Sequence, residues 1–447
     1  MSHGKSMRAR PWLCSTVLAV TAGCALPAFE KVDHSPFPDT VVAVVAGGLH
    51  SGALFRWGEV KMWGGNDDGQ LGLGDTAGRG DGSAEMGKRL PYVDLGGGVA
   101  DGLAAGGRHS CALVPQEQGK AGRIFCWGSN ESGQLGTGKA EDVSDRPAFA
   151  DLTDGVLAKA VTTGASHSCA LLKDGSIKCW GLNDSGQLGL GDEVSRGRAS
   201  SDMGKNLPPV DIGRGHEASQ VSAGGSHTCA IIGRQVACWG SNRFGQLGVG
   251  STENRGTDPA QMGKGLFAVD LGSGRSARRV TAGGNHTCAL LDDDEIKCWG
   301  ANSQGQLGAG DTENRGDQLE ELGDALKPVD LGERAVQVAA GNDFTCAILK
   351  SGHVKCWGAN DRGQLGIGDT DNRGTDPSQM GDALPAVKLG ADAKVIAAGA
   401  DHACAILSTD EVKCWGANGS GQLGLGDTDS RGDGSGEMGS DLPVVSI

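Results

Sequence analysis

Cysteine and histidine have the most chemical potential in this chain, and both recur at near-constant spacing. Twelve of the fourteen cysteines fall into six pairs: Cys111/Cys126, Cys169/Cys179, Cys229/Cys238, Cys288/Cys298, Cys346/Cys356 and Cys404/Cys414. In five of these pairs a histidine stands two residues before the first cysteine. One histidine with two thiolates could hold zinc, His with Cys could form a base–nucleophile couple, and two cysteines could form a disulfide. The variation within the chain separates these options. His50 persists where Gly52 and Met62 replace both cysteines, Phe344 replaces the histidine where Cys346 and Cys356 are kept, and CxxC spacing is absent. The cysteines come and go as a pair and the histidine does not follow them, so disulfides are expected rather than zinc sites or reduced core thiols. No metal site and no cofactor are predicted. The positions His50, His109, His167, His227, His286, Phe344 and His402 read as architectural. No Ser/His/Asp, Cys/His or paired-carboxylate set stands outside the recurring pattern, so no catalytic residue and no enzymatic activity are expected.

The elements that position these residues are repeats. The string GQLG occurs seven times, each time after a Trp-Gly pair whose tryptophans are Trp63, Trp127, Trp180, Trp239, Trp299, Trp357 and Trp415. The first and last lie 352 residues apart over six intervals, a period of about 59. A period this long with several β-favouring runs per copy reads as a propeller blade. Residues 280–331 show the unit best: three short apolar runs divided by Gly, Asn and Asp clusters, then a long polar loop and a closing LxPVDL. With 78 glycines, eight phenylalanines and one tyrosine, the core must come from aliphatics and one tryptophan per blade, shared between neighbours.

Hairpin register supports the pairing. A three-residue loop Lys173-Asp174-Gly175 places Cys169 opposite Cys179, and Lys350-Ser351-Gly352 does the same in the sixth copy. The fourth copy has one residue fewer and a Gly233-Arg234 turn, which restores the register. Each closed loop is expected to add on the order of 2–3 kcal/mol.

The pattern AGGxHxCAL, WGxNxxGQLGxGD, LPxV resembles the repeat of the regulator of chromosome condensation family, and the resemblance covers roughly residues 41–447. It implies an all-β, seven-bladed propeller of four-stranded antiparallel blades. The chain opens mid-repeat at Val41 and stops at the element Leu442 to Ile447, so the C-terminal strand is expected to close the first blade. Members of the family include a nuclear exchange factor for a small GTPase and a secreted bacterial inhibitor of β-lactamases, so the resemblance implies fold rather than function. This chain departs from the family in its cysteine pairs and in a GDTxNRG insertion.

That insertion follows GQLG in six copies and carries Arg79, Arg196, Arg255, Arg315, Arg373 and Arg431. Blades share one orientation, so the six loops are expected to rim one face and to present a partner-binding surface. The arginines could bind an anion, or pair with an acid a few residues away. Asp369, Asp371 and Asp376 imitate part of a calcium loop, but Arg373 takes a ligand position and Met380 replaces the closing acid.

The N-terminus speaks to compartment. Lys5, Arg8 and Arg10 precede an apolar stretch, Trp12 to Ala22, that is too short to span a bilayer. Thr21-Ala22-Gly23-Cys24 looks like a bacterial lipoprotein cleavage box, which makes residues 1–23 a signal peptide, Cys24 the lipidated terminus and residues 24–40 a tether to the 41–447 propeller. Ala25 favours the outer membrane, with periplasm, cell surface or plain secretion as the other destinations. Disulfides fit such an oxidising compartment. The net charge is −15, and −18 without residues 1–23, which disfavours nucleic acid and leaves the lipid as the one expected membrane contact. The expectation is a monomeric, non-catalytic, protein-binding scaffold in the bacterial cell envelope. The alternatives are an inhibitor of an extracellular enzyme and a nucleotide-exchange factor.

Overall fold

A computed structural model describes residues 40–115, 122–153 and 156–447. The expected leader, Cys24 and all but the last tether residue lie outside them. The described residues form seven antiparallel sheets in chain order. In the first blade β1 (Val41–Ala46), β2 (His50–Phe55) and β3 (Val60–Gly64) pair in sequence. The middle strand is buried along its whole length there and in the fifth blade (His286–Leu291). A strand flanked on both sides in its own sheet, with blades stacked on both faces, must be apolar on both faces, hence the runs CALL and CAIL. The innermost strands surround a central channel of about 200 Å³.

Cohesion comes from between blades. One cluster joins Val236 and Cys238 of blade four to Val280, Leu291 and Trp299 of blade five. Another joins Val41 and Trp63 of blade one to Ile406, Val412 and Val445 of blade seven, which closes the ring. Each of the seven tryptophans that precede a GQLG string is fully buried.

Two details differ from the sequence expectation. A fourth strand with ladder pairing forms in blade two (Val143–Phe149) and blade six (Ala386–Val387). In the other five the closing segment runs extended and is held chiefly by one bond, as when the Val93 N–H donates to the Val60 carbonyl at 2.8 Å. The C-terminal segment also belongs elsewhere than expected. The Val445 N–H donates to the Val412 carbonyl, so the segment completes blade seven, while residues 90–95 complete blade one. Each blade takes its closing segment from the chain that immediately follows it, the shorter connection.

The C-terminal segment still seals the seam, because the Gly87 N–H of blade one donates to the Ser446 carbonyl and Leu442 and Val445 are buried. Deleting residues 442–447 is expected to cost on the order of 5 kcal/mol, the burial of one leucine and one valine with their cavities. A thermal melt of the truncated protein that matches wild type would contradict this.

Candidate partner-binding face

Antiparallel pairing brings the end of β1, the start of β2 and the end of β3 to one edge of the sheet, since Ala46 faces Ser51 and His50 faces Gly64. The insertions depart from this edge in every blade that has one, and so share a face. Their shape is set from within. In the first, Asn66 is buried, donates to the Asp75 and Ala77 carbonyls, and accepts from the Leu71 N–H. Asn183, Asn302, Asn360 and Asn418 repeat this role, which accounts for the motif WGxNxxGQL. At the far end Glu85 accepts from the Gly80 and Gly82 N–H groups, and Glu437 does so from Gly432 and Gly434.

The structure commits the loop arginines internally. Arg79, Arg196, Arg315, Arg373 and Arg431 pair with Asp75, Asp192, Asp311, Asp369 and Asp427 at 2.6–2.7 Å, with their side chains only 17–24% exposed. Arg255 lacks this partner because Ser251 replaces the aspartate; it donates to the Gly265 carbonyl and lies over Phe267. Asp369 is spent on Arg373 and Asn360, and among the described residues no three His, Cys, Asp or Glu side chains gather as a metal cluster.

Neighbouring loops interlock. The Gly138, Gly191, Gly250, Gly310, Gly368 and Gly426 N–H groups donate to the Gly197, Gly256, Gly316, Gly374, Gly432 and Gly80 carbonyls at 2.9–3.1 Å. The last of these crosses from blade seven to blade one. Toward blade two, which lacks the insertion, the Gly74 N–H of blade one donates to the Asp145 carbonyl instead. The face is therefore a continuous hydrogen-bonded belt. Exposed on it are Leu49, Val194 and Leu319. Near the channel mouth burial pushes the Asp343 and Asp401 carboxyls up, and the charge of Asp361 pushes the same way. Between blades one and two burial raises Asp68 while Arg108, 2.6 Å away, opposes it.

Sequence reasoning treated the histidines as architectural without finding their partners. His50, His109, His167, His227 and His286 each reach the Ser or Thr beside the next blade's histidine position (Ser110, Ser168, Thr228, Thr287 and Thr345) at 2.8–2.9 Å. His402 reaches Ser51 across the seam at 2.8 Å. Each of these hydroxyls donates to the carbonyl of a GQLG glutamine in the preceding blade, as Ser51 does to Gln422. The hydroxyl proton is thereby used, so the histidine must carry its proton on Nε2 and donate. The blade tryptophan donates its indole N–H to that same carbonyl. The signal was present in the sequence: where Phe344 replaces histidine, the next blade has Ala403 in place of the hydroxyl.

All six cysteine pairs are disulfide-bonded: Cys111 to Cys126, Cys169 to Cys179, Cys229 to Cys238, Cys288 to Cys298, Cys346 to Cys356 and Cys404 to Cys414. The second cysteine always stands on the third strand of its blade, directly opposite the first: Cys126 faces Cys111, Cys298 faces Cys288 and Cys414 faces Cys404. Paired Cα atoms lie 4.1 Å apart, slightly inside the roughly 4.5 Å usual for a non-hydrogen-bonded pair. In blade three the Leu172 N–H donates to the Ser176 carbonyl. Counting along the ladder puts Cys169 and Cys179 at such a pair, where side chains come closest. Gly175 has φ +78°, as the three-residue turn requires. All twelve cysteines are buried, so they brace the blades from inside and add nothing to the loop face. In blade one a Cβ on Gly52 would lie 2.2 Å from the Met62 sulfur. The methionine fills the space of a disulfide, and so both cysteines are missing together.

The pattern of the regulator of chromosome condensation (RCC1) repeat matches residues 121–171, 174–231, 235–290, 293–348 and 351–406, with a second form of it at 394–422. The ultraviolet-B receptor UVR8 of Arabidopsis thaliana is 32% identical over 337 residues, covering 74% of this chain and 68% of the receptor. The E3 ubiquitin-protein ligase HERC2 of Homo sapiens is 32% identical over 313 residues, which are 69% of this chain and 6% of the ligase. Among solved structures, Prp20p of Saccharomyces cerevisiae superposes with a TM-score of 0.63 at 20% identity, covering 92% of this chain and 88% of that one. Human WBSCR16 gives 0.61 at 19%, covering 86% and 93%. Both structural likenesses speak to fold alone. The chain belongs to the regulator of chromosome condensation (RCC1) repeat family.

Proposed function

We propose that this protein is a non-catalytic scaffold that binds a protein partner through its loop face. In this reading residues 1–23 export it to the bacterial cell envelope, Cys24 carries the anchoring lipid, residues 24–40 are the tether, and residues 41–447 act as a monomeric propeller. The observation that carries it is the belt: loops fixed by seven inter-blade hydrogen bonds among the described residues, presenting Leu49, Val194 and Leu319 on a chain of net charge −15. Rigid loops with a few apolar anchors lose little entropy on binding, and the charge suits a basic partner. The recurrent histidines are buried in latches and the recurrent cysteines are in disulfides, which leaves neither for chemistry on a substrate. Prp20p is described by its binding to Gsp1p and histones, so binding proteins is within the reach of this fold. A disulfide-bonded propeller suits an oxidising compartment, which weighs against exchange on a cytosolic GTPase.

A photo-crosslinking residue placed at Leu319, and separately at Ser351 in a turn on the opposite face, tests the reading in cells. A discrete protein adduct from Leu319 and none from Ser351 is expected. Adducts of equal yield from both, or from Ser351 alone, would contradict it.

A further inference from the structure

Five blades carry a lysine at the same place in the third strand: Lys61, Lys178, Lys297, Lys355 and Lys413. All five are buried. Burying an ammonium is costly unless its donors are met, and here backbone carbonyls meet them. Lys297 donates to Leu271 and Gly323 at 2.9 and 3.0 Å, Lys355 to Leu331 and Gly381 at 2.9 and 2.8 Å, and Lys178 to Leu152 and Gly204 at 3.3 and 3.2 Å. In all five the glycine lies 26 residues after its lysine, as Gly87 does for Lys61 and Gly439 for Lys413. The cradle is thus a fixed product of the repeat.

Blade two fills the place with Phe125, packed on Phe149. Blade four has Ala237, yet keeps the cradle. Gly263 follows Ala237 by the same 26 residues and Ile212 takes the place of Leu152. With no side chain to fill it, a cavity of about 550 Å³ opens there, lined by Ile212, Glu217, Ile232, Ala237, Gly263 and Leu266 among others. Leu266 is left partly buried, whereas Leu90, Leu207, Leu384 and Leu442 are only 1% exposed. His216 also lines the cavity, and its Nδ1 hydrogen-bonds the Ile212 carbonyl at 3.3 Å, which leaves that oxygen one lone pair for a ligand. Two carboxylates adjoin the space: Glu217 lines it, and Asp211 lies so near that a Cβ on Gly263 would sit 2.5 Å from its Oδ2. The nearby cation Lys264 is exposed, and its counterpart Lys205 does not prevent Lys178 from being held in blade three.

We propose that this cavity binds a primary alkylammonium group, the head donating to the Ile212 and Gly263 carbonyls and the stem lying on Leu266 and Ile232. Glu217 balances the charge. The group can arrive as a lysine side chain of another protein or as a free amine. The site lies away from the loop face and is independent of the reading given for that face.

The test is ligand-observed NMR on the folded protein with three probes: lysine blocked at both backbone ends, n-butylammonium, and equally blocked norleucine as the uncharged isostere. Saturable binding of n-butylammonium in the millimolar range, with none of norleucine, is expected. Ala237→Lys, which supplies the missing ammonium, should weaken it by roughly tenfold or more and raise the melting temperature. Ala237→Met, which fills the space without charge, should also abolish binding and serves if the lysine variant does not fold. Binding of blocked lysine as well identifies a protein side chain as the occupant, and binding of n-butylammonium alone identifies a free amine. Equal binding of norleucine, undiminished binding in both variants, or no saturable binding of either amine would overturn the proposal.

Discussion

As pH falls from 6.5 toward 4, this propeller is expected to lose its stability steeply and unfold. Burial lowers His50, His167 and His286 from 6.5 to about 4, and His109, His227 and His402 to about 3. Asp184 opposes the effect at His167. A folded-state value below the unfolded one means that the unfolded chain binds the extra proton. The stabilisation is therefore complete above about pH 6.5 and is lost as pH falls toward the folded values. Each histidine then costs about 1.4 kcal/mol per pH unit. Six together remove on the order of 10 kcal/mol by about pH 5, comparable with the whole stability of an ordinary domain. Asp68, Asp101, Glu321, Asp343, Asp401 and Asp433, raised by burial, act in the opposite direction, but Asp75, Asp174, Asp292, Asp294, Asp324, Asp376 and Glu437 are lowered and act with the histidines. Protonation also strikes the geometry, because Nε2 already donates and, except at His286 where the Asn342 backbone stands near, a second N–H on Nδ1 meets no acceptor. The natural Phe344/Ala403 pair supplies the control. His402→Phe with Ser51→Ala should fold and take up about one proton fewer of six on unfolding, measured from the pH dependence of denaturant midpoints. Unchanged proton uptake would show that the latches are not the titrating groups.

Reduction is the second large effect. The disulfides close loops whose ends are 9 to 15 residues apart, each contributing about 2–3 kcal/mol by restricting the unfolded chain. Breaking all six should lower stability by on the order of 10 kcal/mol. Full exposure to reductant in mild denaturant should thus unfold a protein that is otherwise stable there. Gly52→Cys with Met62→Cys should close a seventh bridge, since Gly52 and Met62 are paired in the same register as the cysteines. Peptide mapping after thiol labelling checks this, and free thiols at 52 and 62 in the folded double variant would contradict it.

What could be read from the sequence was whatever repeats locally. Period, turn type and cysteine register are set within one hairpin, so Lys173-Asp174-Gly175 and Gly233-Arg234 sufficed to align Cys169 with Cys179 and Cys229 with Cys238. Contacts between blades were harder, because they join residues about one period apart. The His–hydroxyl latch left a trace only in the joint change at Phe344 and Ala403, and the lysine cradle left one only at Phe125 and Ala237. Assignment of the C-terminal segment went to the wrong blade because the sequence shows that Leu442 to Ile447 matches the closing element but not which neighbour it joins. The loop arginines were ambiguous for a related reason. An aspartate four residues earlier in the sequence permits an ion pair, and only the folded loop brings the two groups to 2.6–2.7 Å.

The central claim is an exported propeller stapled blade by blade, and the intact mass of the native protein, purified from membranes with and without reduction and thiol labelling, tests it most directly. The account predicts six disulfides and an acylated N-terminus at Cys24. Twelve free thiols in the blades of an unprocessed chain would contradict it and return nucleotide exchange to the front.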